Sequence, residues 1–286
     1  MAYAVTFWGT RGSIPTPGAQ TVRYGGNTPC VAVEAEGQLI ILDAGTGIRQ
    51  LGAGLVGHNG SVRAEILLTH THWDHIQGLP YFKPFFAAGN EIRIRASRQG
   101  AATLENILRL QMHPAVFPVP LEALSAQVHV EHVDAGEFTV GPFTVRAMRL
   151  RHAGVTLGYR LTPTGGGPSL AYITDNELGP GGDYDVSANW RRELLDFVSR
   201  ADMMIHDTMY TPAELEEHRG WGHSTYAEAL AVAAEAGVKK LVLFHHDPDH
   251  GDKEMDALLA DARHAAKKRE AGVDVLAAQE GMTVNL

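Results

Sequence analysis

Cysteine is all but missing from this sequence: Cys30 is the only one in 286 residues. One thiol excludes an intramolecular disulfide and any zinc site built on several thiolates, so a metal here has to be held by imidazole and carboxylate. Long apolar runs are missing too, and none approaches the roughly 18 residues that a membrane helix needs. The opening MAYAVTFWGTRGS has no basic segment followed by a long apolar one. No export signal is therefore expected, and a cytoplasmic location follows. Positive charge is in deficit, with 24 Lys and Arg against 33 Asp and Glu and a formal net charge of -9. That balance argues against broad binding to a nucleic-acid backbone, although a local basic pocket stays open.

What remains is an ordinary globular composition, 44% hydrophobic and 20% charged, on a chain long enough to bury a sizeable core. Short apolar or alternating runs bounded by Gly, Pro or polar turns fill the first half: residues 4–9, 30–35, 39–44, 64–70 and 91–97. Helical patterns separate some of them, at 46–55, across QGLPYFKPFF and at 101–112. Further strands follow from HVEHV to SLAYITD, with TGGG at 164–167 as a hairpin loop. Helices then alternate with the strands ADMMIHD and KKLVLFHH. Two halves of similar make-up, with strands inside and helices outside, predict a four-layer α/β sandwich of αββα type. No linker or charge block divides them, so one domain over 1–286 is expected.

Histidine is the residue in surplus, at 15. Most histidines are surface or core residues, so position decides. In THTHWDHIQG, residues 69–78, His70, His72, Asp74 and His75 fall within six positions at the end of an apolar run. Alternate residues of such a loop can turn toward one point, so His70 and His72 could share one metal while Asp74 and His75 serve a neighbour. Burying so many titratable groups without a metal is costly. Imidazole and carboxylate suit Zn²⁺, and also Fe or Mn.

This HxHxDH run resembles the signature of the metallo-β-lactamase superfamily, and the resemblance extends over nearly the whole chain. LILDAGTG, around Asp43, resembles the family's first motif, whose aspartate supports the ligands from behind. His152 in LRHAGVTLGYRL, Asp175 in AYITDNE and His245 in LVLFHHDPDH match the remaining ligand positions. The resemblance implies two divalent metal ions: one held by His70, His72, His152 and Asp175, the other by Asp74, His75, Asp175 and His245. His245 is preferred over His246 by strand alternation after LVLF and by the family pattern, with His246 and His250 near the rim. Two such cations acidify a water and neutralise charge on the attacked group, and Asp74 could orient the nucleophile.

Three features separate branches. GWGHSTYAEAL resembles the HST segment of the phosphodiesterase branch, which gives His223 as the acid that protonates the leaving oxygen; Ser224 and Thr225 also suit a helix cap. ADMMIHDTMY resembles that branch's upstream strand, with Asp207 placed to orient His223. Only 22 residues separate His152 from Asp175, which leaves no room for the arm with which tRNA-processing relatives grip their substrate. FWGTRGSIPTPG resembles a group of cyclic-phosphate hydrolases, and Arg11 could contact phosphate there or serve only to shape the loop. The segment 113–124 reads as a lid, with Phe117 stacking on a base, or as a dimer contact. Tyr81, Phe82, Phe85 and Phe86 read as helix core.

The expected function is hydrolysis of a small phosphodiester, a cyclic nucleotide or cyclic phosphate, by a homodimer of the kind common in this branch. A tRNA 3′-end-processing endoribonuclease is the alternative, β-lactam or thioester hydrolysis a weaker one. A metal-holding nucleotide-binding module without catalysis is the reading from another class.

Overall fold

A computed structural model describes residues 1–56 and 60–286. The first half supplies strands β1 (Ala4–Gly9), β2 (Cys30–Ala35), β3 (Gln38–Leu42), β4 (Arg63–Leu67), β5 (Glu91–Ala96) and β6 (Gln127–His132). The second supplies β7 (Gly136–Val140), β8 (Phe143–Arg149), β9 (Leu157–Pro163), β10 (Leu170–Ile173), β11 (Met203–Asp207), β12 (Lys240–Phe244) and β13 (Asp274–Ala277). A final strand, β14 (Thr283–Asn285), returns to pair with β1. Two sheets result, ordered β14-β1-β2-β3-β4-β5-β6 and β13-β12-β11-β10-β9-β8-β7.

Burial follows the period of each element. β1 alternates, turning Val5 and Phe7 inward, where they meet Val31, Val33, Phe143, Tyr159 and Phe244 in the core between the sheets. The opposite face of the first sheet carries Ile66, Ile92 and Ile94 under α1 (Ile48–Leu55) and, after the single turn α2 (Trp73–Ile76), under α3 (Leu104–Gln111). The second sheet is covered by α4 (Trp190–Val198), α6 (Tyr226–Glu235) and α7 (Asp252–Lys268), with the short α5 (Leu215–His218) lying outside. The layers run helix, sheet, sheet, helix, as the αββα expectation has it.

Two local expectations are corrected. The aromatic run after the histidine motif is two 3₁₀ turns, Leu79–Tyr81 and Lys83–Phe86, because Pro80 and Pro84 cannot continue a helix. Phe82 and Phe85 are buried, but Tyr81 is 60% and Phe86 41% exposed. At α6, Thr225 alone makes the capping box with Glu228, while Ser224 donates its hydroxyl to the Asn176 carbonyl. No helix among the described residues is long and apolar enough to cross a membrane.

Candidate metal centre

The strands β3, β4, β8, β10, β11 and β12 end on one side of the sandwich, and the functional candidates sit on the segments leaving them. Two donor clusters form there: His70, His72, His152 and Asp175 in one, Asp74, His75, Asp175 and His245 in the other, each with ligand atoms within 4.8 Å of one another. His72 is the exposed member; the other six are buried.

Asp175 belongs to both clusters and divides its oxygens between them. Oδ2 lies 3.7 Å from His70 Nε2 and 3.6 Å from His152 Nε2, while Oδ1 lies 3.2 Å from both His75 Nε2 and His245 Nε2. Asp74 Oδ2 sits 3.2 Å from His75 Nε2 and 3.3 Å from His245 Nε2. His72 Nδ1 lies 3.2 Å from His152 Nε2.

The outward nitrogen of most of these rings is fixed from behind, which aims the other nitrogen at the centre. Asp43 Oδ2 accepts from His75 Nδ1 at 2.9 Å and from the Tyr172 hydroxyl at 2.9 Å. The Thr69 hydroxyl donates to Asp43 at 3.0 Å, so it accepts from His70 Nδ1 at 3.1 Å. His152 Nδ1 donates to the Gly222 carbonyl at 3.1 Å. His245 Nδ1 has no such partner among the described residues; its ring stacks between His75 at 5.4 Å and His223 at 5.2 Å and packs against Gly12.

These residues fit a pair of cations. His70 Nε2 and His75 Nε2 are buried without a hydrogen-bond partner among the described residues, which is costly unless something else satisfies them. Burial alone would push the His75 pKa down, yet Asp74, Asp175 and Asp43 outweigh that effect and raise it. A divalent cation at Nε2 would meet the same Asp74 and Asp175 oxygens. A donor set made only of His and carboxylate suits zinc, iron or manganese.

His223 lies beside both clusters, its ring 5.1 Å from that of His152. Its Nδ1 meets Asp207 Oδ2 at 2.6 Å, and Asp207 is fully buried with Oδ1 tied to the Met209 amide. Burial would lower the His223 pKa, but the Asp207 carboxylate prevails and raises it to about 9. The Asp207 contact thus favours the protonated ring and leaves Nε2 free of that bond.

Several partners carry no signal in the sequence. The Ser13 amide donates to Asp74 Oδ2 at 2.9 Å, so the N-terminal glycine loop does reach the centre. Glu177 accepts from the Gly220 and Gly222 amides and from the Tyr184 hydroxyl, which fixes the turn carrying His223. A backbone donor leaves no mark on residue type, although the glycines of GWGH are a visible sign of a tight turn.

Arg11 does not join the site. It is fully buried and donates to the carbonyls of Gly25, Asp247 and His250 at 2.6–3.2 Å. Of the two roles open to it, these contacts are those of the loop-shaping one: it knots two loops together. His246 turns away to the Ala278 carbonyl, and His250 pairs with Glu214. Phe117, half-buried, stands edge-on to Tyr81 at 5.5 Å, on the outer side of the His72–Asp74 turn.

A model of the β-lactamase superfamily domain matches residues 38–246, a span that holds Asp43, the seven donors, Asp207 and His223. Ribonuclease Z of Bradyrhizobium diazoefficiens is 28% identical, over 88% of this chain and 92% of that protein. The whole fold is similar to that of unliganded yeast PDE1, with a TM-score of 0.71 at 14% identity over 100% of this chain and 99% of that one. It is also similar to human tRNase Z, short form, with a TM-score of 0.65 at 20% identity over 98% of each chain. The chain belongs to the β-lactamase superfamily, and its paired donor sets are those of a metal-dependent hydrolase.

Proposed function

We propose that the chain hydrolyses phosphodiester bonds with two divalent cations, zinc by preference. The observation that carries this reading is His223, held by Asp207 beside two donor clusters that share Asp175. His70, His72, His152 and Asp175 would hold one cation, and Asp74, His75, Asp175 and His245 the other. When bound, the pair supplies charge against the phosphate oxygens and acidifies a water for attack. The chain's own residues do the rest. Asp74, fixed by the Ser13 amide, orients the attacking water. His223 gives its Nε2 proton to the leaving oxygen, and Asp207 positions the ring and steadies its charge.

The relatives support an RNA 3′ end as the substrate, because the similar proteins carry the name Ribonuclease Z. This moves weight from the small cyclic phosphate expected from the sequence toward the tRNA-processing alternative, and with it toward a nucleic-acid partner. One observation keeps the small phosphodiester as the second reading. The match to the Bradyrhizobium diazoefficiens protein runs over 300 aligned positions, more than this chain's 286 residues, although only 88% of the chain takes part. That relative therefore carries insertions this chain lacks, in keeping with the short β9–β10 hairpin between His152 and Asp175.

Zinc-loaded protein should hydrolyse bis(p-nitrophenyl) phosphate and lose this activity on chelation. His223→Ala should lower kcat by roughly 10²- to 10⁴-fold while two metals per chain remain by mass spectrometry; full activity in that variant would remove the proposed acid. Precursor tRNA and 3′,5′-cyclic AMP assayed in parallel separate the substrates. Trailer cleavage supports the first reading, and cyclic ester opening alone the second. Tight nucleotide binding with no product would leave a binding module.

A further inference from the structure

Of the nine exposed large apolar side chains among the described residues, four line a single cavity of about 490 Å³: Trp73 (79%), Tyr81 (60%), Leu110 (71%) and Val116 (72%). Scattered single exposures are ordinary, but a convergent set around a concavity marks a binding site. Its position is specific. Trp73 stands between His72 and Asp74, a donor of each metal cluster, and Thr71 between His70 and His72, so the cavity wall and the metal centre are two sides of one turn. Thr71 and Trp73 of the cavity wall thus alternate along the chain with the donors His70, His72 and Asp74.

The chemistry of the walls selects what enters. Phe117 edges onto Tyr81 at 5.5 Å, so those two rings hold each other and the Trp73 indole is the open face. A polar atom waits in this apolar setting: Gln111 donates from Nε2 to the Ile76 carbonyl at 2.7 Å, and its Oε1 is buried with no partner among the described residues. Flat aromatic walls with one unused acceptor match a planar ring that carries an N–H. An alkyl chain would leave the acceptor orphaned, and a second phosphate would be repelled by it.

We propose that the cavity bounded by Trp73, Tyr81 and Phe117 is a subsite for a nucleobase of the substrate, stacked on Trp73 and donating to Gln111 Oε1. It rests on the phosphodiester reading and goes beyond it by assigning base recognition to a surface outside the metal centre. Stacking of one base on an aromatic is worth roughly ten- to hundredfold in affinity.

Two esters with one leaving group test it: thymidine 5′-(p-nitrophenyl phosphate) and methyl p-nitrophenyl phosphate, each assayed with the zinc-loaded full chain. The wild type is expected to favour the nucleoside ester in kcat/KM. In Trp73→Ala this preference should fall at least tenfold, through KM. Trp73→Phe should retain most of the preference, and Phe117→Ala should reduce it. If the wild type cleaves both esters but Trp73→Ala lowers the two equally, the subsite is overturned and the phosphodiesterase stands. The subsite is overturned as well if Trp73→Ala changes only the oligomeric state in sedimentation, since the cavity would then be a contact between copies. Failure of the wild type on both esters would instead remove the underlying reading.

Discussion

Set side by side, the two seven-stranded sheets carry the same order of pairings, three antiparallel and then three parallel. On that count β3 corresponds to β10, β4 to β11 and β5 to β12. Asp43 follows β3 with φ 60°, and Asp175 follows β10 with φ 53°, both in the left-handed region that non-glycine residues seldom enter. Yet their roles diverge. Asp43 accepts hydrogen bonds from Thr69, Tyr172 and His75 behind the centre, whereas Asp175 reaches into it. After β4 the first sheet gathers four donors into one turn; the second delivers its own singly, His152, Asp175 and His245 from three separate strand ends. The concentrated donors pack ring on ring, His70 lying 4.4 Å from His72 and 4.3 Å from His75, whereas the dispersed His152 and His245 each rest against a glycine from elsewhere in the chain.

The largest effect should come from exchanging the two aspartates for asparagine in turn. Asp175→Asn should cost roughly a thousandfold or more in kcat and lower the metal content by mass spectrometry, since it feeds both clusters. Asp43→Asn should cost only about 10- to 100-fold in metal affinity. Equal losses would break the contrast between a shared donor and a supporting one.

The props of the dispersed donors come next. A Cβ on Gly222, which sits at φ 87°, would lie 2.0 Å from His152 Nδ1, and one on Gly12 would lie 2.6 Å from the His245 ring. Gly222→Ala should weaken metal binding about tenfold or more by isothermal titration, with Gly12→Ala milder. Unchanged affinity in both would mean that the dispersed donors do not depend on single props.

The smallest effect is a displaced pH profile. Asp207 keeps His223 protonated up to about pH 9, so activity should fall as pH rises through the value at which that proton leaves. Asp207→Asn removes the negative charge that holds the proton, and the alkaline limb of kcat should move down by roughly one pH unit or more. A limb that stays in place would detach Asp207 from the acid.

The same contrast explains what is legible in the sequence. His70, His72, Asp74 and His75 can be read from spacing alone, because four donors in six positions have few other uses. His152, Asp175 and His245 are single residues whose meaning depends on strand ends far apart in the chain, and only resemblance to a family points to them. Of the two adjacent histidines, His245, at φ 59°, joins the donor cluster, and His246 turns to the Ala278 carbonyl. Arg11 stays ambiguous in the sequence because an arginine in a glycine-rich loop looks the same whether it meets phosphate or buried carbonyls. The repeat of pairings is hidden for a related reason. It resides in backbone hydrogen bonds, which many side-chain sequences can satisfy.

The division of the Asp175 carboxylate has a thermodynamic corollary. One residue presents an oxygen to each cluster, so filling either one fixes the torsion that aims the other oxygen. Two cation equilibria at these clusters would therefore be linked, and whatever factor the first ion imposed on the affinity of the second would be returned in equal measure. The abundance of half-filled protein would then be set in part by this one side chain.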